Sequence, residues 1–137
     1  MIKVLIADDY APVRQGLRML ISICSDLLVI GEASDGQTAV ETTERLKPDV
    51  VLMDVWMPNI DGIQAAERIR EMSPETSVLL MSIHDSEDMR AKAAAAGAWG
   101  LVSKNTGTLQ LTNAIRQAWA RWPQQIEFSV NSVTPIP

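Results

Sequence analysis

The chain has 137 residues, of which 47% are hydrophobic, and this is enough for one domain with a full apolar core. Its 17 acidic and 12 basic residues give a net charge of −5, which argues against direct binding of this segment to nucleic acid. The single Cys24 cannot form an internal disulfide, and the apolar helical pattern around it predicts a core thiol. Without a disulfide framework, a leader or a membrane-length apolar run, we expect a cytoplasmic protein that does not contact membranes.

Five short apolar segments predict β-strands, and a helical pattern follows each of them. The strands are expected at residues 2–7, 28–31, 50–54, 77–82 and 101–103. Because strand and helix alternate five times, we predict an α/β fold, a doubly wound five-stranded parallel sheet of order 2-1-3-4-5 with helices on both faces.

Capping residues and prolines mark the predicted helix ends. Pro12 suits the first turn of the first helix, and Gly97 suits a left-handed residue at the end of the fourth. The predicted caps of the later helices are Asp35, Asp61, Asp85 or Ser86, and Thr108.

The third strand ends in a carboxylate. Val50 to Met53 form an apolar run between two prolines and lead directly into Asp54, as in a buried parallel strand. Open α/β sheets bind their ligands outside the carboxyl ends of the strands. Asp54 is therefore the first candidate for a functional residue.

Reactive side chains stand at the ends of four of the five strands, namely Asp8, Asp9, Asp54, Ser82 and Lys104. Strands 1 and 3 are neighbours at the switch point of the predicted sheet. The three carboxylates would then share one crevice, with the hydroxyl and the ammonium along its rim.

Three neighbouring carboxylates repel one another unless a cation lies between them, and hard oxygen ligands suit Mg²⁺. Asp54 could then attack phosphorus, since carboxylates are known phosphoryl acceptors. The metal, Lys104 and the Ser82 hydroxyl would each stabilise one phosphoryl oxygen.

Each of these residues also has a structural interpretation. Asp54 alone could form a turn, and either Asp8 or Asp9 could be only the cap of the first helix. Ser82 alone suits a structural hydroxyl, and Lys104 alone a solvated lysine. Their joint placement is what favours a phosphoacceptor site.

Four sequence blocks carry a family likeness. They are residues 4–9 (VLIADD), 31–36 (GEASDG), 48–58 (PDVVLMDVWMP) with Asp61-Gly62, and 96–100 (AGAWG) with Lys104. Over residues 1 to about 121 the chain resembles a bacterial response-regulator receiver domain. The Gly-Glu-Ala at 31–33 and the Arg-Gln-Gly-Leu at 14–17 resemble the LuxR/NarL-like subgroup, which usually carries a C-terminal helix-turn-helix domain.

The resemblance implies a role for each matched residue. Asp54 would be the phosphoacceptor, and Asp8, Asp9, Asp54 and the backbone carbonyl of Trp56 would bind Mg²⁺. Ser82 would be the switch hydroxyl, and Lys104 the phosphate-contacting lysine. The implied donor is a sensor histidine kinase, a phosphotransfer protein or a small acyl phosphate. Such a protein is not a metabolic enzyme, although it catalyses its own phosphorylation and dephosphorylation.

Three positions depart from the family pattern. Leu101 stands where an aromatic switch residue is usual, Asn105 where many relatives have proline, and Ile83 where alanine or glycine is common. Trp56 and His84 occupy positions that tune the loss of the aspartyl phosphate in the family, and we predict that they slow the entry of water.

Phosphorylation would draw Ser82 toward the phosphoryl group and move the loop at residues 83–86. This would switch the surface formed by the fourth helix, fifth strand and fifth helix. The output would be control of transcription through a separate DNA-binding domain. Trp99, Trp119 and Trp122 are expected near this surface, where exposed aromatics would suit a partner or a homodimer. For Trp119 the structural alternative is packing in the core.

Three other classes remain open. A magnesium-dependent aspartyl phosphatase needs a second acid two residues after its nucleophile, where this chain has Trp56. A flavodoxin-like FMN carrier needs a hydroxyl- and glycine-rich phosphate loop after the first strand. This chain instead has Asp8-Asp9 there, which would repel phosphate without a metal. A degenerate receiver would act as a binding module without phosphorylation, and Leu101 and Ile83 leave this alternative open.

The predicted receiver domain is residues 1–122. The remainder, residues 123–137, is polar and proline-containing, so we favour a linker to a missing output domain. The alternation of Ile126, Phe128 and Val130 with polar residues also allows an extra edge strand.

Overall fold

Five parallel strands form a single sheet in the spatial order β2-β1-β3-β4-β5. The structure is a computed structural model that describes residues 1–84 and 86–122. The strands are β1 (Ile2–Ala7), β2 (Leu27–Ala33), β3 (Val50–Asp54), β4 (Ser77–Ser82) and β5 (Gly100–Ser103). The predicted fold class and strand order are therefore confirmed.

A helix follows each strand, and the helices cover both faces of the sheet. They are α1 (Ala11–Ser22), α2 (Gly36–Leu46), α3 (Gly62–Met72), α4 (Glu87–Ala95) and α5 (Thr108–Arg121). In the part of the chain that the structure describes, no helix is both long and apolar enough to cross a membrane.

Two hydrophobic layers enclose the sheet. Leu5, Val51 and Met53 point to one layer, which α2, α3 and α4 cover. Val4, Ile6 and Leu52 point to the other, which α1 and α5 cover. Every residue of β3 is buried, because helices lie on both sides of this central strand, and this explains its unbroken apolar sequence.

Most predicted helix ends are found where local chemistry placed them. Asp35 caps α2, Asp61 caps α3 in a reciprocal capping box with Gln64, and Ser86 caps α4. Gly97 has a φ of +85°, the left-handed conformation expected just after α4. Asp85, the alternative cap, and residues 123–137, with their linker and edge-strand alternatives, lie outside the described residues.

Two local predictions were wrong. Gly107, not Thr108, is the N-cap of α5, because the Gln110 side chain reaches back and accepts the Gly107 N–H at 2.9 Å. Cys24 does not belong to the helix, since α1 ends at Ser22, but the residue is partly buried and packs against the core beneath α1 and α5.

Candidate functional site

The carboxyl ends of neighbouring strands bring the predicted residues to one edge of the sheet. Asp54 ends β3 and pairs in register with Met81, while Ser82 ends β4 and pairs with Ser103 of β5. Asp8 directly follows β1, which is the other neighbour of β3. Carboxylate oxygens of Asp8, Asp9 and Asp54 all lie within 4.8 Å of one another.

Asp54 is almost enclosed by the site, with a side chain that is 8% exposed. One carboxylate oxygen accepts the Trp56 backbone N–H at 3.3 Å, and the other lies 3.1 Å from the Lys104 ammonium. Burial raises the pKa of Asp54, Lys104 opposes this shift, Asp8 adds to it, and the pKa stays above its ordinary value. The Trp56 backbone and the Lys104 ammonium therefore hold the Asp54 carboxylate at the end of β3.

Asp8 is fully buried, and hydrogen bonds hold both of its carboxylate oxygens. Its Oδ1 accepts the Tyr10 backbone N–H at 2.9 Å, and its Oδ2 accepts from the Lys104 ammonium at 2.7 Å. The N-cap of α1 is Tyr10, and no side chain caps this helix. The interpretation of Asp8 or Asp9 as a simple helix cap is therefore wrong, and Asp9 lies exposed at the rim.

Lys104 bridges the two buried carboxylates rather than pointing into solvent. Burial, the largest single contribution, acts to lower the pKa of Lys104, but Asp8 and Asp54 together outweigh it and raise the pKa above its ordinary value. Lys104 therefore stays charged and offsets the repulsion between these two acids. The Lys104 backbone N–H also donates to the carbonyl of Ser82 at 2.9 Å, which ties the end of β5 to the end of β4.

The Ser82 side chain is buried at the end of β4. Its hydroxyl oxygen accepts the His84 backbone N–H at 3.0 Å, so the hydroxyl hydrogen is still available to donate. This bond orders the start of the loop that follows β4.

The segments that follow Asp54 and Ser82 carry exposed side chains. Trp56 is 54% exposed and Ile83 is 59% exposed, and His84 is exposed beside them.

The three tryptophans predicted near the output surface differ in their exposure to solvent. Trp99 is fully buried in the layer beneath α5, so it cannot contribute to an exposed aromatic surface. Trp119 is 52% exposed, whereas Trp122 is partly buried and donates its indole N–H to the carbonyl of Pro74 at 2.7 Å. Leu101, at the switch position of β5, is buried.

The acidic cluster has the donor atoms that a hard divalent cation requires. Three carboxylates converge, and ligands of this kind suit Mg²⁺, which commonly uses a few carboxylates and keeps several waters. The Trp56 backbone lies against Asp54 through its N–H, while its carbonyl as a further ligand stays a prediction.

One set of contacts at the site escaped the sequence analysis. Arg14 donates a hydrogen bond to the backbone carbonyl of Asp8 and is paired with Glu32. Both residues stood out in the sequence blocks shared with the LuxR/NarL-like subgroup. Nothing in their spacing indicated that they touch each other or the acidic segment.

Fold and site together define an α/β domain with a candidate metal site at the carboxyl edge of a five-stranded parallel sheet. The sequence matches the response regulator receiver domain over residues 4–116, and the chain belongs to this family. The resemblance seen in the sequence blocks is thus confirmed.

Known relatives support the same assignment. The chain is 40% identical over 117 residues to the "Uncharacterized transcriptional regulatory protein YxjL" of Bacillus subtilis (strain 168), covering 85% of this chain and 54% of that protein. It is 36% identical over 120 residues to the response regulator GacA of Pseudomonas aeruginosa, covering 88% and 56%. The chain thus spans a little over half the length of these curated relatives.

Solved structures agree with the fold. The signal receiver domain of the putative response regulator NarL from Mycobacterium tuberculosis is 33% identical, with a TM-score of 0.84 and coverage of 87% of this chain and 96% of that one. A LuxR-family two-component response regulator from Aurantimonas sp. SI85-9A1 is 29% identical, with a TM-score of 0.86 and coverage of 96% and 91%. The chain is therefore similar to receiver domains of LuxR-family regulators.

Proposed function

We propose that this chain accepts a phosphoryl group on Asp54 in a Mg²⁺-dependent reaction and thereby switches an output surface that controls transcription. The observation that carries the proposal is the convergence of Asp8, Asp9 and Asp54 within 4.8 Å, with Lys104 bonded to two of them. Membership of the receiver family supports the same role.

In the transfer step, an Asp54 oxygen forms a bond to phosphorus while the bond from phosphorus to the donor breaks. The donor is a phosphohistidine of a sensor histidine kinase or phosphotransfer protein, or a small acyl phosphate. The electron pair of the breaking bond stays on the imidazole nitrogen or the acyl oxygen of the donor. Asp54 attacks as a carboxylate and neither gains nor loses a proton. This reaction depends mainly on positioning and charge stabilisation.

Different residues of this chain would each stabilise one oxygen of the phosphoryl group during transfer. Lys104, kept charged by its raised pKa, transfers its contact from the Asp54 carboxylate to a phosphoryl oxygen. The Ser82 hydroxyl, whose hydrogen is available, donates to another. Asp8, Asp9, Asp54 and the Trp56 carbonyl would hold Mg²⁺, which when bound supplies neutralising positive charge for the remaining phosphoryl oxygen.

The switch would work through the backbone at the ends of β4 and β5. Phosphorylation adds a charge of about −1.5 to −2 and new acceptor oxygens, which attract Ser82 and Lys104. Since the Lys104 N–H is bonded to the Ser82 carbonyl, the two move together. The buried Leu101 offers no aromatic ring to turn inward, so this backbone connection takes over the coupling to the α4-β5-α5 surface.

The output surface has features that suit association. Leu109 and Trp119 are exposed on α5, at 69% and 52%, and they would serve a homodimer or another domain. We assign the receiver domain to residues 1–122 and a linker role to 123–137. DNA would be contacted by a separate output domain of a cytoplasmic protein, in keeping with the length of the curated relatives.

Acetyl phosphate tests the proposal directly. We expect incubation with Mg²⁺ and acetyl phosphate to add one phosphoryl mass to the intact protein, and the addition to be lost with EDTA or in Asp54→Asn. Asp49→Asn is the matched control, because Asp49 lies just before the same strand at its opposite end, where it accepts the Lys3 N–H at 2.8 Å.

The alternatives give different results in the same experiment. No added mass in the wild type would contradict the proposal and favour a binding module that works without phosphorylation. Turnover of phosphorylated metabolites would favour an aspartyl phosphatase, although the position for its general acid holds Trp56. A bound yellow chromophore would indicate a flavin carrier.

A further inference from the structure

Arg14 connects the first helix to the backbone of the acidic segment. From the second turn of α1, its Nη1 donates to the Asp8 carbonyl at 2.6 Å, and its Nε donates to Glu32 Oε1 at 3.2 Å. The two contacts join α1, the end of β2 and the segment that follows β1. The Arg14 side chain is 20% exposed and that of Glu32 is 27% exposed, so both partners are largely shielded from water.

The contact completes the hydrogen bonding of Asp8. Its backbone N–H donates to the Ala33 carbonyl at 3.0 Å, and its two carboxylate oxygens accept from Tyr10 and Lys104. Its carbonyl is the remaining polar group, and Arg14 binds it. The Asp8 carbonyl belongs to the peptide unit that joins Asp8 to Asp9. The orientation of this carbonyl therefore sets the position from which the exposed Asp9 side chain extends.

Glu32 holds Arg14 in place and also limits its electrostatic effect. A lone guanidinium near three carboxylates would compete with a bound cation. Glu32 offsets that charge, and it also pairs with Arg18, which is 53% exposed and lies one turn further along α1. The two arginines share the Glu32 carboxylate but differ in their second contact. Arg14 also donates to the Asp8 carbonyl, whereas Arg18 pairs with Glu32.

We propose that Arg14 is a positioning residue for the divalent-metal site, holding the Asp8-Asp9 segment in its metal-binding geometry while Glu32 orients its guanidinium. This inference rests on the proposed Mg²⁺-dependent function and adds a residue that does not touch the metal. Partners that orient metal ligands commonly change metal affinity by about 10- to 100-fold when they are mutated.

The test is Mg²⁺ affinity, measured by isothermal titration calorimetry or by the fluorescence of the tryptophans, of which Trp56 adjoins Asp54. We expect Arg14→Gln to weaken Mg²⁺ binding about tenfold. Arg14→Lys, which keeps the charge but loses the planar pair of donors, should recover part of that loss. Arg18→Gln is the matched control and should bind Mg²⁺ as the wild type does.

Simple electrostatics predicts the opposite sign. If the charge of Arg14 mattered more than its hydrogen bond, Arg14→Gln would bind Mg²⁺ more tightly than the wild type, and this would overturn the proposal. Equal weakening by Arg14→Gln and Arg18→Gln would also overturn it, because the effect would then belong to the Glu32 pair in general. Circular dichroism of the metal-free variants identifies a temperature at which all are folded, and the titrations are made there.

The wild type and Asp9→Asn distinguish this inference from the function on which it rests. Absence of Mg²⁺ binding by the wild type would contradict both. A second outcome is that the wild type binds Mg²⁺, Asp9→Asn weakens this binding and Arg14→Gln leaves it unchanged. The metal site would then stand, and Arg14 would have no part in it.

Discussion

At the residue scale, the indole of Trp56 and the imidazole of His84 stand exposed on the two loops beside Asp54. Their positions allow them to restrict the approach of water to an aspartyl phosphate. We expect the double change Trp56→Ala with His84→Ala to shorten the phosphate lifetime severalfold, measured as the rate at which phosphoryl mass is lost after acetyl phosphate is removed. Trp119→Ala removes an equally exposed indole from α5 and should leave the lifetime unchanged; an unchanged lifetime in the double variant would contradict the role.

Gly62 is the second residue with a specific consequence for the site. An ideal Cβ at this position would lie 2.2 Å from the backbone carbonyl oxygen of Asp54, and the Gly62 N–H donates to the Val55 carbonyl at 2.7 Å. We expect Gly62→Ala to lower the free energy of unfolding by about 1–3 kcal/mol, as overpacking does, and to slow phosphorylation. Urea unfolding measures the first effect, and intact mass against time measures the second.

Gly16 is a natural control for that substitution. A Cβ at Gly16 would meet nothing within 4 Å, and the residue lies in the middle of α1. Gly16→Ala should therefore raise the free energy of unfolding by about 0.5–1 kcal/mol through helix propensity. A Gly62→Ala variant as stable as the wild type would show that the contact with the Asp54 carbonyl imposes no constraint.

At the scale of an element, α2 shows how a local hydrogen bond sets a helix start. The Asp35 carboxylate accepts the Thr38 backbone N–H at 2.7 Å, and this bond, the largest contribution, lowers the pKa of Asp35. Asp35→Ala should cost about 1 kcal/mol near neutral pH, whereas Asp35→Asn, also a good cap, should cost little. Urea unfolding of the three proteins measures the difference.

The pH dependence of this cap follows from the direction of the pKa shift. The pKa of Asp35 is lower in the folded state than the ordinary value of about 3.9, so its carboxylate stabilises the fold above that pH. This stabilisation is lost as the pH falls through the folded-state pKa. The excess stability of the wild type over Asp35→Ala should therefore shrink below about pH 4. A constant difference between pH 7 and pH 3 would contradict an ionic cap.

At the scale of the whole molecule, Lys104 and a bound cation have overlapping electrostatic roles. Lys104 is bonded to two carboxylates whose side chains are less than a tenth exposed, and its removal leaves them without this partner. We expect Lys104→Gln to lower the free energy of unfolding in EDTA by about 2 kcal/mol. The variant should bind Mg²⁺ more tightly than the wild type, because its acidic cluster lacks the competing ammonium. A fixed excess of Mg²⁺ should therefore stabilise the variant more than the wild type and narrow the difference between them.

Thermal unfolding with EDTA and with saturating Mg²⁺ provides the measurement. Lys92→Gln is the control, because the ion pair of Lys92 with Asp88 is exposed and such pairs contribute little to stability. An equal loss from Lys104→Gln with and without Mg²⁺ would mean that Lys104 supports the fold by packing and that no cation replaces its charge.

Much of the architecture and the candidate site followed from the sequence because the signals were local. An apolar run bounded by prolines predicted β3, and side chains that bond to their own helix starts marked the caps at Asp35 and Asp61. Alternation of strand and helix then restricted the sheet order, since parallel crossovers favour one hand. That topology predicted that the reactive residues at the strand ends meet, although they are far apart in the chain.

Only the tertiary structure decided which distant groups meet. The burial of Trp99, the partial exposure of Cys24, and the contacts of Arg14 with Asp8 and Glu32 depend on how helices pack against the sheet. Glu32 reaches Arg14 across 18 residues, and Lys104 reaches Asp8 across 96. Hydrophobic periodicity records which face of an element is buried, but it does not record which side chain of another element lies opposite that face.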